Sequence, residues 1–232
     1  FWVSLGIILS GAAFILIFIF FLSRDLPSLE QLENYDPDLV TRIYSADGVV
    51  LSELFVQKRV FVELNNIPKH MQDAVIASED RRFYEHWGLS LRSVARAIGI
   101  NILSLSYRQG FSTLTQQLAR NLYKTIGFDD SILRKIKEVI TAVQIERTYT
   151  KDEILEMYLN TVHFGHGTYG VEAATKRFYS KESKELSVDE SALLVGLLPS
   201  PASYSPIRHP DRARKRRNTV LRLMKDQGYI SH

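Results

Sequence analysis

The chain has 232 residues, 45% of them hydrophobic and 24% charged, which is enough for one substantial core plus appendages. Lys and Arg number 29 against 26 Asp and Glu, and a formal net charge of +3 is too mild to mark a nucleic-acid binder without a clustered basic face. Cysteine is absent, so disulfides, thiolate metal sites and cysteine redox chemistry are excluded while the compartment stays open.

From Phe1 to Leu22 the run FWVSLGIILSGAAFILIFIFFL carries no charge and is long enough to cross the ~30 Å hydrocarbon layer as a helix. A cleavable signal peptide has a shorter apolar region of roughly 7–15 residues followed by a small-residue cleavage site. Here Ser23-Arg24-Asp25 follows, and no such site occurs. Residues 1–23 are therefore predicted to be a transmembrane anchor. No basic flank orients it, so its topology has to follow from function.

Residues 24–66 read as a connector with a β-hairpin. Pro27 and Pro37 punctuate a polar stretch, after which Thr41-Arg42-Ile43-Tyr44 and Val49-Val50-Leu51 flank Ser45-Ala46-Asp47-Gly48. Asp-Gly is a strong hairpin signal because Gly accepts positive φ. Arg59-Val60-Phe61-Val62-Glu63-Leu64 has the look of a further short strand.

Residues 67–232 are predicted to form one mainly helical domain. Pro68 can take a first helical position, with Met71, Ala74 and Val75 at helical spacing behind it. Leu91–Leu105 continues as an apolar-rich helix bearing Arg92 and Arg96, and Tyr107-Arg108-Gln109-Gly110 turns the chain before a helical pattern over Ser112–Tyr123. Ile132, Ile136, Val139, Ile140 and Val143 form one helical stripe, with Arg134 and Glu138 on the far side. Thr150 with Glu153, and Ser187 with Glu190, are capping boxes that open two more helices. Asp211–Gly228 is a basic amphipathic helix.

Three stretches could carry chemistry. Ser78–Gly88, SEDRRFYEHWG, gathers carboxylates, arginines, a histidine and aromatics. Glu79 with Asp80, Arg81 and Arg82 is compatible with a plain surface charge cluster. As a general base it would need its pKa raised by burial or a neighbouring negative charge, for which Phe83, Tyr84 and Trp87 could supply apolar walls. Glu138 with Arg134 could be an i,i+4 surface pair worth only ~0.3–0.5 kcal/mol. Yet Arg134, Lys135 and Lys137 place three cations within four residues, a cluster able to neutralise a diphosphate. Ser112, Thr113, Gln116 and Gln117 offer neutral donors and acceptors suited to sugar hydroxyls, or simply an N-capped polar helix. His86, His163 and His166 have no familiar zinc spacing, and neither a phosphate-binding glycine loop nor a G-x-S-x-G elbow occurs.

EDRRFYEHWG, GFSTLTQQLARN, RKIKE, KDEILEMYLN and RKRRNTVL occur in that order. Together they resemble the five signature motifs of the family 51 peptidoglycan glycosyltransferases, found in class A penicillin-binding proteins and monofunctional transglycosylases. The resemblance covers roughly residues 70 to 225. It implies a lysozyme-like fold with head and jaw lobes, Ile98–Tyr107 belonging to the jaw, preceded by the small β element and the single transmembrane helix. It implies lipid II and the growing glycan chain as substrates, with the catalytic domain on the outer, periplasmic face of a bacterial cytoplasmic membrane. Cell-wall synthesis proteins are conceivable partners; nucleic acid is not.

Carried over by position, Glu79 matches the catalytic base and Glu138 the second essential carboxylate. Arg96, Ser112, Thr113, Gln116, Gln117, Arg120, Arg134, Lys135 and Lys137 match substrate-binding positions. Asp80, Arg81, Phe83, His86 and Gly88 match supporting ones, and Glu156, Asn160 and Arg217 look structural, holding helices around the cleft. No cofactor is required by the sequence, although a divalent cation, Mg or Mn, has a natural place beside the diphosphate. Phe111 stands where Gly or Ala is usual, Arg120 replaces a common Lys, and Asp129 and Asp130 occupy a region where many members carry Arg. Two other readings stay open: a glycan-cleaving hydrolase or lytic transglycosylase, and a catalytically silent membrane scaffold.

Overall fold

The computed structural model describes residues 60–89, 112–122 and 132–231, the strands Thr41–Tyr44 and Val50–Leu54, and the isolated positions Gly6, Ser10, Ser45 and Asp47. The predicted anchor apart from Gly6 and Ser10, the connector over 24–40, Arg59, Arg96, Ile98–Tyr107, Phe111, Asp129 and Asp130 lie outside the described residues. Among the described residues no helix is long and apolar enough to cross a membrane.

Strand β1 (Thr41–Tyr44) pairs antiparallel with β2 (Val50–Leu54), Thr41 opposite Leu54 and Arg42 opposite Glu53. The predicted hairpin is present, its second strand running further than Val49–Leu51. The register shifts between Ile43 and Tyr44, an irregularity that strengthens local twist.

The strand expected at Arg59–Leu64 does not form over its described part. Val60–Glu63 carries no ladder, and Leu64–Asn66 is a 3₁₀ turn. Side chains supply the hydrogen bonds instead. Val62 N donates to Asn160 Oδ1 at 2.9 Å, Asn160 Nδ2 donates back to Val62 O at 2.9 Å, and Leu64 N donates to Glu156 Oε2 at 2.6 Å. Buried backbone groups need partners, and an Asn can present both a donor and an acceptor in one plane, so no second strand is required.

Among the described residues seven α-helices follow: α1 (Lys69–Glu79), α2 (Leu114–Leu122), α3 (Ile132–Thr148), α4 (Lys151–Thr161), α5 (Val171–Tyr179), α6 (Val188–Leu197) and α7 (Pro210–Asp226). A short hairpin, β3 (His163–Gly165) with β4 (Thr168–Tyr169), links α4 to α5. The described residues are thus mainly α. Pro68 is the N-cap of α1, one place before the first helical position expected for it. Both predicted capping boxes are present, Thr150 with Glu153 opening α4 and Ser187 with Glu190 opening α6.

Helix α1 is buried along the whole run from Met71 to Ala77, as a helix surrounded by others must be. It packs against α6 and α7, while α2 packs against α3 and α4. Met71, Val75, Leu118, Leu155, Leu194 and Val220 belong to one continuous core uniting the two groups. The C-terminal end of α1 lies where they meet.

Helix α3 departs from its predicted orientation. Its buried side is Glu138, Thr141, Ala142 and Ile145, whereas Ile136, Val139, Ile140 and Val143 are only partly buried and Leu133 is 44% exposed. The apolar stripe therefore does not mark the face turned into the described core. A carboxylate can take that face because two cations of the same helix neutralise it there.

Candidate active site

Glu79 is the last residue of α1. It is half-buried, and Gln117 Nε2 donates to its Oε2 at 3.2 Å while Ser78 Oγ donates weakly to Oε1 at 3.4 Å. Loss of hydration raises its pKa; Gln117, the Arg216 charge and Ser78 pull it back, and Asp80 adds a smaller upward push. The carboxylate also sits at the negative end of the α1 dipole, which disfavours its charge further. The net direction is upward, the condition for a carboxylate to accept a proton near neutrality. The aromatic walls are not those expected: Phe83 is fully buried, but Tyr84 is 51% and Trp87 81% exposed. The residues that bear on Glu79 from other helices are instead Gln117 of α2, Tyr158 of α4 and Arg216 of α7.

The residues after Glu79 build its frame. Asp80 is buried, and its Oδ2 accepts from Leu114 N at 3.0 Å, at the start of α2, and from His86 Nε2 at 2.8 Å. One carboxylate thus fixes the relative place of α1's end, α2's beginning and the loop between. Arg81 is exposed and takes no part in this frame. Lys151 Nζ closes the loop from the far side, donating to His86 O at 2.6 Å and Glu146 Oε1 at 2.7 Å, with the Phe83 ring 4.6 Å away.

Gly88 has φ +70, and a Cβ there would lie 3.0 Å from the carbonyl carbon and oxygen of Ala142 in α3. Its own carbonyl accepts from Thr113 Oγ1 at 2.7 Å and Gln116 Nε2 at 3.0 Å. Gly88→Ala combines left-handed strain with a clash against immovable backbone, so unfolding in denaturant should show a loss of about 2–4 kcal/mol. A loss below about 0.5 kcal/mol, the size of a neutral surface change, would contradict this packing.

The second group is centred on Glu138, which is 1% exposed. Arg134 Nη1 donates to Oε1, and Lys135 Nζ donates to Oε2 at 2.9 Å. Lys135 also donates to Ser112 Oγ at 2.6 Å and Gln116 Oε1 at 2.8 Å, so its three N–H groups all meet oxygen. Its pKa is lowered by burial, an effect that Glu138 opposes. The surface-pair alternative for Arg134 and Glu138 is excluded by this burial.

Helix α2 bridges the two groups. Gln116 reaches Lys135, and its neighbour Gln117 reaches Glu79. Thr113 and Gln116 are buried with their polar atoms engaged inside the protein, and Thr113 Oγ1 also accepts from Gln116 N at 3.2 Å, capping α2. Arg120 is half-buried, and its charge bears on Lys135 and Tyr158. Lys137 is half-buried and, among the described residues, has no hydrogen bond to this cluster.

Glu156 and Asn160 hold the extended segment Val62–Leu64 rather than neighbouring helices. Arg217 bonds Asn218 Oδ1 at 3.1 and 3.0 Å. The α7 residue whose charge reaches Glu79 is Arg216, which lies in the same basic run and was not singled out by sequence reasoning. Tyr158, whose hydroxyl donates to Gln117 Oε1 at 3.0 Å, was also missed inside the fourth motif. Its only sequence signal is a large aromatic among the buried positions of α4.

No group of three His, Asp or Glu among the described residues could hold a metal ion. Both Glu138 oxygens already accept from cationic side chains, so this donor set does not fit a protein-held Mg or Mn. Cavities of about 350 and 440 Å³ lie around Val60 and α5 and include none of these candidate residues.

The sequence matches the family described as Transglycosylase over residues 47–225. It is 48% identical over 191 residues to penicillin-binding protein 1F of Bacillus subtilis, covering 82% of this chain and 26% of that protein. It is 41% identical over 227 residues to penicillin-binding protein 1A of Aquifex aeolicus, covering 98% of this chain and 31% of that one. The chain thus spans about a quarter to a third of the length of these relatives. A crystal structure of penicillin-binding protein 1A from Haemophilus influenzae is 26% identical with a TM-score of 0.49, covering 84% of this chain and 19% of that one.

Proposed function

The chain belongs to the transglycosylase family, and from that membership we propose that it polymerises lipid II into the β-1,4-linked glycan strands of peptidoglycan. Glu79 removes the proton from the 4-hydroxyl of the acceptor N-acetylglucosamine. That oxygen attacks the anomeric carbon of the donor N-acetylmuramic acid from the face opposite the lipid diphosphate. The C1–O4 bond forms, the bond from C1 to the diphosphate oxygen breaks with inversion, and the electron pair leaves on the undecaprenyl diphosphate.

Arg134 and Lys135 are the cations that meet the charge developing on the leaving group, and Glu138 holds both in place. The three acceptors around Lys135 mean that a diphosphate oxygen replaces one of them on binding. Ser112 Oγ, neutral and half-buried, is the partner given up at least cost. Arg96, Arg120, Lys137 and Gln117 complete the proposed substrate-binding set. No step is routed through a metal.

The observation that carries this reading is the pairing along α2: Gln117 serves the carboxylate with the raised pKa, and Gln116 serves the buried cation cluster. A base beside a diphosphate partner suits glycosyl transfer from a lipid diphosphate, whereas cleavage of a neutral glycan needs no such cations. The uncharged run Phe1–Leu22 supports a single-pass anchor in the bacterial cytoplasmic membrane, with residues 67–232 on its outer face. The lysozyme-like head and jaw arrangement, including Ile98–Tyr107 as part of the jaw, belongs to the same proposal, as do further cell-wall synthesis proteins as partners.

Incubation with lipid II and, separately, with finished glycan strands tests it by the size of the products. Strands lengthening from lipid II is the expected result. Shortening of finished glycan would make the chain a hydrolase or lytic enzyme, and binding of lipid II without turnover would make it a scaffold.

A further inference from the structure

Tyr158 is fully buried on α4, its hydroxyl 3.0 Å from Gln117 Oε1, and Gln117 Nε2 is 3.2 Å from Glu79 Oε2. A Gln amide has one accepting end and one donating end, which a half-turn exchanges. The Tyr158 hydroxyl decides between them. Burial, and next the negative charge of Glu79, hold its pKa well above the usual range, so it keeps its proton. A buried hydroxyl must place that proton on an acceptor, and the amide oxygen is the acceptor it meets.

We propose that Tyr158 is a positioning residue for the transfer reaction: by donating to Gln117 Oε1 it holds the amide with Nε2 toward Glu79 Oε2, the arrangement that favours the proton-free carboxylate. The inference rests on the reading of Glu79 as the base. With the amide reversed, Oε1 would face the carboxylate and stabilise its protonated form. Tyr158 would then face an NH₂ group and lose its acceptor. The fixed amide also acts after each transfer, since it offers the newly protonated Glu79 nothing to donate to and so favours release of the proton to water.

Other charges act on the same carboxylate and must be separated from this effect. Arg216 from α7 lowers the Glu79 pKa, Asp80 beside it raises it, and Ser78 donates to its second oxygen. Arg120 of α2 acts on Tyr158 in the opposite sense to Glu79. Tyr158→Phe alters none of these charges. It removes one oxygen and leaves the amide free to turn.

The test is the pH dependence of lipid II polymerisation by the full chain between about pH 4 and 9, spanning the ordinary Glu and His ranges. In Tyr158→Phe the acid limb should move to higher pH by roughly 0.5–1 unit while the alkaline limb stays in place. Gln117→Met, which deletes the donor itself, should give the same displacement, and the double variant no more than either single one. An unmoved acid limb in either single variant overturns the proposal. So does a parallel loss at every pH in Tyr158→Phe, or a Tyr158→Phe protein that does not fold, because the hydroxyl would then serve packing. A wild-type chain that fails to polymerise lipid II at any pH would instead sink the reading of function.

Discussion

Glu79→Gln should lower lipid II polymerisation by about 10²–10⁴-fold, the usual worth of a positioned general base, while the protein stays folded. The amide has nearly the shape of the carboxylate and can still accept from Gln117 Nε2, so the end of α1 keeps its partner. Stability should move the other way. The Glu79 pKa is raised in the folded state from its ordinary value of 4.5, so the native carboxyl binds its proton more tightly than the unfolded one. Ionisation therefore works against folding as pH climbs from 4.5 through the folded value. At neutral pH Glu79→Gln should melt no lower than wild type, and the difference should shrink below pH 4.5. Activity within tenfold of wild type would remove Glu79 from the role of base. A marked drop in melting temperature would mean that the carboxylate holds the fold together.

Glu138→Gln should be nearly as damaging to turnover, for a different reason. Its two oxygens hold Arg134 and Lys135, and the neutral amide can accept from only one of them. Removing one partner of a buried charge group leaves the other uncompensated, and polymerisation should fall by at least about 10²-fold with a stability loss of about 1–3 kcal/mol. The Lys135 pKa gives a separate sign. Burial depresses it and Glu138 opposes that depression, so without Glu138 it falls further. Lys135 would then shed its proton at lower pH, and the alkaline limb of activity should move downward in Glu138→Gln. Turnover matching wild type, with that limb in place, would return Glu138 to a structural role.

What the sequence discloses follows the range of the interactions concerned. Capping boxes are settled within four residues, so Thr150 with Glu153 and Ser187 with Glu190 read directly. The order of the five motifs pointed to Glu79 and Glu138, but nothing local distinguished either from a surface charge. Hydrophobic periodicity misplaced α3 because it assumes that charge faces water. Arg134 and Lys135 cancel the charge of Glu138, and the polar face turns inward. Arg59–Leu64 looked like a strand because its residue types suit one, but Asn160 and Glu156, about a hundred positions away, supply the hydrogen bonds of Val62 and Leu64. Arg216 and Arg217 are adjacent in one basic run and separated by the ~100° step of a helix, which alone decides whose charge reaches Glu79.

The bonds of Val62 and Leu64 to α4 also have a mechanical meaning. Tension arriving along the chain from before Val60 is met by three hydrogen bonds, two to Asn160 and one to Glu156, before it can reach Lys69 and the first turn of α1. They form a strain relief. A pull that would otherwise draw on α1, and so on the carboxylate at its far end, is diverted into α4 and the core beneath it.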